Sequence, residues 1–581
     1  MKKFINRPEK AVEEMLEGIA IVNPGLVRLA GEKVLLRTDT ERIRDEQVAI
    51  ISGGGSGHEP AHAGYVGAGM LNAAVAGEIF TSPDTDSLFA AIKAVAGKPG
   101  VLLVVKNYTG DRLNFGLAAE MARSEGIAVE MIIVDDDVAL DRSAQFAGAR
   151  GLAGTIFVHK QVGAAAAERK SLAEVAAIGR AAIKQLATMG VSFSAGTSPA
   201  VGKPSFELGE DEMELGLGIH GEPGVTRTRI QPANELTETL LERVLQQGNF
   251  GEERRVAVMI NNLGATTEME LAIVARHAAD FLARKSYTVE RMYVGTLLSS
   301  LDMAGISISV LGVDDAAVNR LDAPTAAPSW PNGLKQRPGK LEARADGAGA
   351  RKSAAPVQEV QTETGRKIRR SIEAACSALI AAEDELTEMD RIVGDGDLGA
   401  SMKRAATAVQ EAVESYPLDD AAGTMRALSR TLREALGGSS GPLYGVFFLR
   451  CGNVLEKSGW TELAQWTKAA EEGVRAISEL GGAKPGDRTM LDALDSFVVA
   501  LKNAGANGPR EALVGAVDAA KRGAEATAQM KPRLGRSSYL GDRVMGHADP
   551  GATAVALWLR AVVDSLNAGE VAQRQARVTG V

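Results

Sequence analysis

Cysteine is almost absent from this chain of 581 residues: there are two, Cys376 and Cys451. Two cysteines cannot build a disulfide framework, so a reducing compartment is expected and both are read as buried small apolar side chains. Aromatic residues make up only 4%, which argues against a surface that stacks nucleic-acid bases. There is no concentrated basic run and the formal net charge is −9, so neither a nucleic acid nor an anionic membrane is expected as a partner. Stretches of about 18 apolar residues are missing, which excludes a membrane-spanning helix. The opening Met1-Lys2-Lys3-Phe4-Ile5-Asn6-Arg7-Pro8 has charge with no apolar run behind it, unlike a secretory leader. A cytoplasmic location is the expectation. Two nucleotide motifs are lacking as well. No Gly-Lys pair is followed by Ser or Thr, which disfavours a P-loop kinase. The glycines at 53 to 57 do not have the spacing of a dinucleotide fingerprint.

What is present is ordinary for a soluble protein: 45% hydrophobic and 24% charged residues. The length exceeds one core and implies roughly two to four domains. The 64 glycines point to tight turns and backbone-lined sites. Up to about residue 325 the pattern is α/β. Strands are expected at Val48–Ile51, Val101–Val105, Val129–Val134, Val256–Ile260 and Ile306–Leu311, with helices over Ser87–Ala96, Phe115–Glu125 and Leu172–Met189. Two lobes are expected, about 1–190 and 191–325, each with a parallel or mixed sheet. From 326 to 359 prolines among Ala, Gly, Lys and Arg read as a mobile linker. Residues 360–581 read as an all-α domain of alanine-rich amphipathic helices, with Ile368, Ile372, Ala375 and Leu379 on one face.

Chemistry concentrates in a few stretches. Asp390, Asp395 and Asp397 fall within Asp390-Arg391-Ile392-Val393-Gly394-Asp395-Gly396-Asp397, where glycines let successive carboxylates converge. Hard cations need oxygen ligands, and with no EF-hand spacing Mg2+ is favoured over Ca2+, the alternative being a solvated acidic turn. Gly437–Gly441, Gly486–Met490 and His547–Gly551 are glycine-rich or polar turns ahead of helices, where backbone N–H groups can meet phosphate or simply start a helix. In the α/β half, His58 follows a strand and a glycine stretch, Lys106 and Asp111 follow another strand, and His220 sits in Gly218-Ile219-His220-Gly221-Glu222-Pro223-Gly224. An imidazole among glycines is open to a carbonyl substrate as nucleophile or base; it is equally a hydrogen-bonded loop histidine. His62, His159 and His277, in plainer surroundings, are read as structural.

At these residues the chain resembles the dihydroxyacetone kinase family in its single-chain, ATP-dependent form. The shared stretches are Gly53–Pro60, Lys106–Asp111, Gly218–Gly224, Leu321–Pro324, Gly394–Gly399, Gly437–Gly441 with Tyr444 and Gly445, Gly486–Leu491, Gly535–Gly541 and Gly546–Ala552. The resemblance implies a two-lobed α/β substrate domain followed by a helical-barrel nucleotide domain. It implies that His220 holds the carbonyl carbon of a short ketose as a hemiaminal, that Asp111 takes the proton of the attacking hydroxyl, and that His58 assists by hydrogen bonding. Gly55, Ser56, Gly57 and Lys106 would help hold the substrate. Asp390, Asp395 and Asp397 would bind two Mg2+ ions bridging the ATP phosphates. ATP itself would meet Leu398, Gly399, Ala400, Ser401, Ser439, Ser440, Gly481, Thr489, Met490, Asp549, Pro550 and Gly551. A homodimer is implied, with the linker of roughly 35 residues letting the helical domain reach a substrate domain. Ser537, where the family often has Ala, and Gly541–Met545, where it often has Glu, depart from the pattern and leave the substrate open between dihydroxyacetone, glyceraldehyde and four-carbon ketoses such as erythrulose. An FAD-AMP lyase activity, as in some relatives, is a second expectation. A non-enzymatic ketose-binding module for a phosphotransferase system would have its two halves on separate chains; here they are fused.

Overall fold

The computed structural model describes residues 3–139, 149–199, 202–204, 206–221, 224–331, 360–436, 439–505, 508–534 and 544–579. Glu222, Pro223, Gly437, Gly438, residues 332–359 and residues 535–543, all invoked above, lie outside the described residues. The chain divides into two compact units, Met1–Ala343 and Arg344–Val581.

The first unit is α/β, and its described residues form two six-stranded sheets. One comprises β1 (Leu26–Arg28), β2 (Val34–Arg37), β3 (Ala49–Ser56), β4 (Ala73–Ile79), β5 (Val101–Lys106) and β6 (Val129–Val134), in the order β1-β2-β4-β3-β5-β6. The run β4-β3-β5-β6 is parallel, and β1 and β2 are added antiparallel at one edge. The other comprises β7 (Leu186–Ser192), β8 (Glu212–Leu215), β9 (Thr226–Arg229), β10 (Arg255–Asn262), β11 (Thr288–Gly295) and β12 (Gly305–Gly312), in the order β11-β10-β12-β7-β8-β9. There only β10 and β11 are parallel. The central strands β3, β5 and β12 are buried along their whole length; β5 accordingly reads as an apolar run, whereas the other two carry buried serines and glycines as well. Helix Thr155–Ala167 is buried from Thr155 to Ala166. One apolar cluster explains this: it joins that helix to Val104 and Ile132 of the first sheet and to Met259 and Leu311 of the second.

Two boundaries differ from the sequence expectation. The helix expected over Leu172–Met189 ends at Lys184, and Leu186–Ser192 is β7, paired antiparallel with β12. Seven consecutive buried positions, with β-branched Thr188 and Val191, favour a central strand over another helical turn. The division between the sheets therefore precedes Leu186. The start of the proline-rich stretch is not a free linker either: Ala327 and Trp330 are buried, Trp330 lies 4.8 Å ring to ring from Tyr293, and the Ser329 amide donates to Gly64 O.

The second unit is all-helical. Among the described residues its helices are Glu363–Ala381, Glu383–Val393, Leu398–Ala412, Ala421–Ala435, Ser440–Ser458, Leu463–Gly481, Met490–Lys502, Pro509–Ala526 and Pro550–Thr579. Successive helices pack as neighbours, and the first packs against the last, so the bundle closes on itself around one core. Cys376 and Cys451 are buried free thiols in that core, each pushed up to about 12 by burial. No helix among the described residues is long and apolar enough to cross a membrane.

Candidate functional site

The glycine stretch at 53–57 is not a loop. Gly53, Gly54, Gly55 and Ser56 are the last residues of β3, still paired with β4. Glycine is required because the neighbours are too close for a side chain. A Cβ at Gly53 would lie 2.3 Å from Val75 O, one at Gly54 2.7 Å from Lys106 Nζ, and one at Gly55 2.6 Å from the Thr81 amide nitrogen. The Gly55→Ala variant, pressed against backbone, is expected to lose about 1–3 kcal/mol of stability, measurable by chemical denaturation.

His58, Lys106 and Asp111 come from the carboxyl ends of the adjacent parallel strands β3 and β5, where α/β sheets gather ligands. Lys106 ends β5, and Asp111 lies in the first turn of helix Thr109–Ser124, a position that favours a carboxylate. His220 follows β8 of the other sheet. A segment after β11 ties the two together. Ser299 O accepts from His58 Nδ1 at 2.9 Å, the Leu301 amide donates to Gly57 O at 2.8 Å, and Ser300 Oγ donates to Ile219 O at 2.7 Å. Asn261 braces this segment through the Leu297 and Leu298 amides and Leu298 O. The rings of Tyr108, His58 and Phe80 surround that of His220, with centroids at 4.4, 4.9 and 5.7 Å. The sequence reading missed Phe80, Asn261, Ser299 and Ser300. The one available signal was a run of polar residues, Asn261-Asn262 and Ser299-Ser300, beside apolar strands.

The electrostatics follow from burial. His220 falls to about 3, first because of burial and then because of the Lys106 and Arg150 charges. His58 is held well below the usual imidazole range by burial, Lys106 and His220. Both rings are neutral at physiological pH. Ser299 O is only an acceptor, so His58 carries its proton on Nδ1 and presents a lone pair at Nε2, which is buried with no hydrogen-bond partner. Burial raises Asp111, against the opposing effects of Lys106 and a hydrogen bond from Ser82, and its Oδ1 also has no partner. Burial lowers Lys106, and Asp111, Asp136 and Glu59 oppose that shift. His277 does pair structurally, with Glu238 at 2.8 Å. His62 does not stay apart from the cluster: its Nε2 is 3.1 Å from Lys106 Nζ.

In the helical unit, one carboxylate oxygen from each of Asp390, Asp395 and Asp397 lies within 4.8 Å of the others. Asp390 also accepts from the Asp397 and Leu398 amides, which holds the turn in shape. Leu398, Gly399, Ala400 and Ser401 form the first turn of the helix that follows. Arg404 links Ser401 Oγ to Ala435 O, ahead of Ser439 and Ser440 at the start of helix Ser440–Ser458. Thr489 and Met490 open helix Met490–Lys502 through a capping box with Asp492. Asp549 caps the helix starting at Pro550 by accepting from the Ala552 amide. Gly551 and Met490 are close enough that a Cβ on the former would lie 3.8 Å from that of the latter. Burial raises Asp549 to about 6; Asp492 and Asp390 act in the same sense and Arg488 against it. Hydrogen bonds thus tie the helix start at 398 to the acidic turn, the starts at 490 and 550 adjoin each other, and the charge of Asp390 is felt at Asp549. Gly481 is further along, at the end of helix Leu463–Gly481, against Leu443.

Comparison with known proteins matches the family model of the Dak1 domain over residues 17–329 and that of the DAK2 domain over residues 392–564. The chain belongs to the dihydroxyacetone kinase family. A putative 3,4-dihydroxy-2-butanone kinase of Solanum lycopersicum is 45% identical over 579 residues, which cover 96% of this chain and 97% of that protein. The triokinase/FMN cyclase of Homo sapiens is 41% identical over 578 residues, covering 97% and 99%. The crystal structure of the dihydroxyacetone kinase from C. freundii in complex with AMP-PNP and Mg2+ aligns with a TM-score of 0.61 and 34% identity, over 97% of this chain and 99% of that one.

For this dihydroxyacetone kinase family member, the buried histidines predict a pH response of the fold. His58, His62, His159 and His220 are all lowered from 6.5. Below about pH 6.5 the unfolded chain takes up protons that these rings refuse in the fold, so their contribution is complete above 6.5 and is lost as pH falls, for His159 and His220 down to about 3. Each ring gives a slope of about 1.4 kcal/mol per pH unit. Asp136, raised to about 6, opposes them only between about 3.8 and 6. The melting temperature of the α/β unit is therefore expected to fall between about pH 7 and pH 5. Calorimetry across that range checks this, and a flat profile would refute it.

Proposed function

We propose that this chain transfers the terminal phosphoryl group of ATP to a hydroxyl of dihydroxyacetone, or of a closely related short ketose or triose, held on His220. The observation that carries this reading is a neutral His220 ring caged by Tyr108, Phe80 and His58, on a cluster that also holds Lys106 and Asp111. A neutral imidazole nitrogen has the lone pair needed to bond a carbonyl carbon: the C–O π pair moves to oxygen, which takes a proton to become the hemiaminal hydroxyl, while the ring's other nitrogen gives up its N–H proton and the ring stays neutral. A plain polyol such as glycerol has no carbon that can be captured this way. Asp111, with Oδ1 unpartnered and its basicity raised by burial, accepts the proton of the hydroxyl to be phosphorylated. His58 Nε2 accepts from a substrate hydroxyl, and Lys106 with the backbone of Gly55, Ser56 and Gly57 holds substrate oxygens.

Three carboxylates converging within 4.8 Å are a hard oxygen donor set, which suits Mg2+. Asp390, Asp395 and Asp397 would hold Mg2+, whose charge offsets that of the ATP phosphates. The helix starts at Leu398–Ser401, Ser439–Ser440, Thr489–Met490 and Asp549–Gly551 offer N–H groups to the nucleotide, with Gly481 alongside. The assembly read for this chain is a homodimer, in the cytoplasm.

The test is a kinase assay of the full chain with ATP and Mg2+ on dihydroxyacetone, glyceraldehyde, both erythrulose enantiomers and glycerol. Turnover of a ketose or triose but not glycerol is expected, with loss under EDTA and recovery on excess Mg2+. Equal use of glycerol would refute capture at the carbonyl, and absence of any turnover would refute a kinase. The name of the human relative pairs this activity with FMN cyclisation, so FAD with a divalent metal belongs in the same assay. Release of cyclic FMN would establish that second activity, and its absence would exclude it.

A further inference from the structure

His62 and His159 have no part in the chemistry above, yet they form a chain that ends on Lys106. Lys106 Nζ lies 3.1 Å from His62 Nε2, and His62 Nδ1 lies 2.9 Å from His159 Nε2. Lys106 and His159 are fully buried and His62 is 5% exposed. The three come from different elements: the end of β5, the turn after β3, and the middle of helix Thr155–Ala167. Ser52 Oγ, 3.5 Å from His62 Nδ1, donates instead to Val104 O at 2.7 Å.

The protons can be placed along this chain. An ammonium group has donors only, so His62 Nε2 accepts from Lys106. The His62 proton then sits on Nδ1 and is donated to His159 Nε2. That puts the His159 proton on Nδ1, which is buried and has no hydrogen-bond partner. Both rings stay neutral, because burial and the Lys106 charge lower His159 to about 3 and His62 well below its ordinary value. A buried donor left unmatched disfavours the fold, and apolar side chains of similar size would avoid that cost. Stability alone is therefore a poor reason for two histidines here.

We propose that His62 and His159 are positioning residues for Lys106. His62 takes one ammonium N–H and so orients the other two towards the substrate oxygens, and His159 fixes the tautomer that His62 needs. Gly54 completes the arrangement: a Cβ there would lie 2.7 Å from Lys106 Nζ and 3.5 Å from His62 Nε2, so only glycine leaves the contact undisturbed. The proposal rests on the reading of Lys106 as a substrate contact.

The test compares His62→Gln with His62→Asn in the full chain. Glutamine can place an amide oxygen where Nε2 stood and still accept from Lys106; asparagine reaches only the Nδ1 position. His62→Asn is expected to raise KM for dihydroxyacetone about tenfold, the equivalent of one lost hydrogen bond, and His62→Gln by no more than about threefold. KM for ATP is expected to be unchanged in both. A purely structural role would lower the melting temperature of both variants without separating their KM values, and equal KM values would overturn the proposal. If neither variant folds, His159→Gln and His159→Asn read the same order, since only glutamine keeps an acceptor for His62 Nδ1. Lys106→Met is measured alongside. An unchanged KM there refutes Lys106 as a substrate contact. A raised KM there with no Gln–Asn difference refutes the positioning role alone.

Discussion

The His220→Ala variant is expected to lose covalent capture of the ketose, with kcat/KM falling on the order of 10³-fold. The proposed capture would turn a small, mobile ketone into part of the protein, so that the later phosphoryl transfer would find its hydroxyl already in place. Well-oriented intramolecular reactions gain effective molarities of about 10⁵–10⁸ M. Only part of that gain should vanish, because the other groups of the proposed site would still bind the substrate oxygens. Alanine also removes the ring around which Tyr108, His58 and Phe80 pack. With dihydroxyacetone labelled at the carbonyl carbon, ¹³C NMR of the wild-type complex should show a tetrahedral carbon that the variant lacks. The preference for ketose over glycerol should shrink together with kcat/KM. Full activity in His220→Ala would sink the covalent mechanism.

Asp111→Asn is expected to do the reverse. The tetrahedral carbon signal should persist, since His220 is untouched, while kcat falls by about 10²–10⁴ for loss of a general base. Asparagine has nearly the shape of aspartate and can keep the contact with Ser82, so the variant isolates proton acceptance from packing. Burial raises the basicity of Asp111 and the Lys106 charge lowers it. Removing that charge by Lys106→Met should therefore shift the acid limb of the kcat–pH profile upward, while in Asp111→Asn the limb should vanish. Single-turnover kinetics with preformed ketose complex checks the first claim; kcat within threefold of wild type in Asp111→Asn would refute it.

Much of the fold could be read from local pattern. The apolar runs Val101–Val105 and Ile306–Leu311 are strands buried on both faces, Val129–Val134 is a half-buried edge strand, and the 3.6-residue apolar spacing after 360 is helix. Local pattern failed where a distant neighbour decides. The glycines of β3 resemble a loop until the strands and side chains pressing on them are known. Pattern alone carries the helix beginning at Leu172 on to Met189, because a central strand and a buried helix look alike over a few apolar residues. Residues 326–331 look like linker by composition, but Ala327 and Trp330 are buried against the first unit. Within the site, His58, Lys106, Asp111 and the acidic turn stood out by residue type. The Ser299–Leu301 brace did not, since its bond to His58 spans 241 residues of sequence.

That brace has a consequence for which molecules the pocket tolerates. Because Ser299 O fixes the His58 proton on the far side of the ring, the near side can only receive a hydrogen bond. A deoxy or O-methyl analogue that fits the same space would leave that lone pair dry and unmatched, and sites built around such a pairing reject the ligand that cannot complete it. A main-chain carbonyl, which no side-chain substitution at position 299 removes, would thereby filter ligands by whether they carry a hydroxyl at that spot.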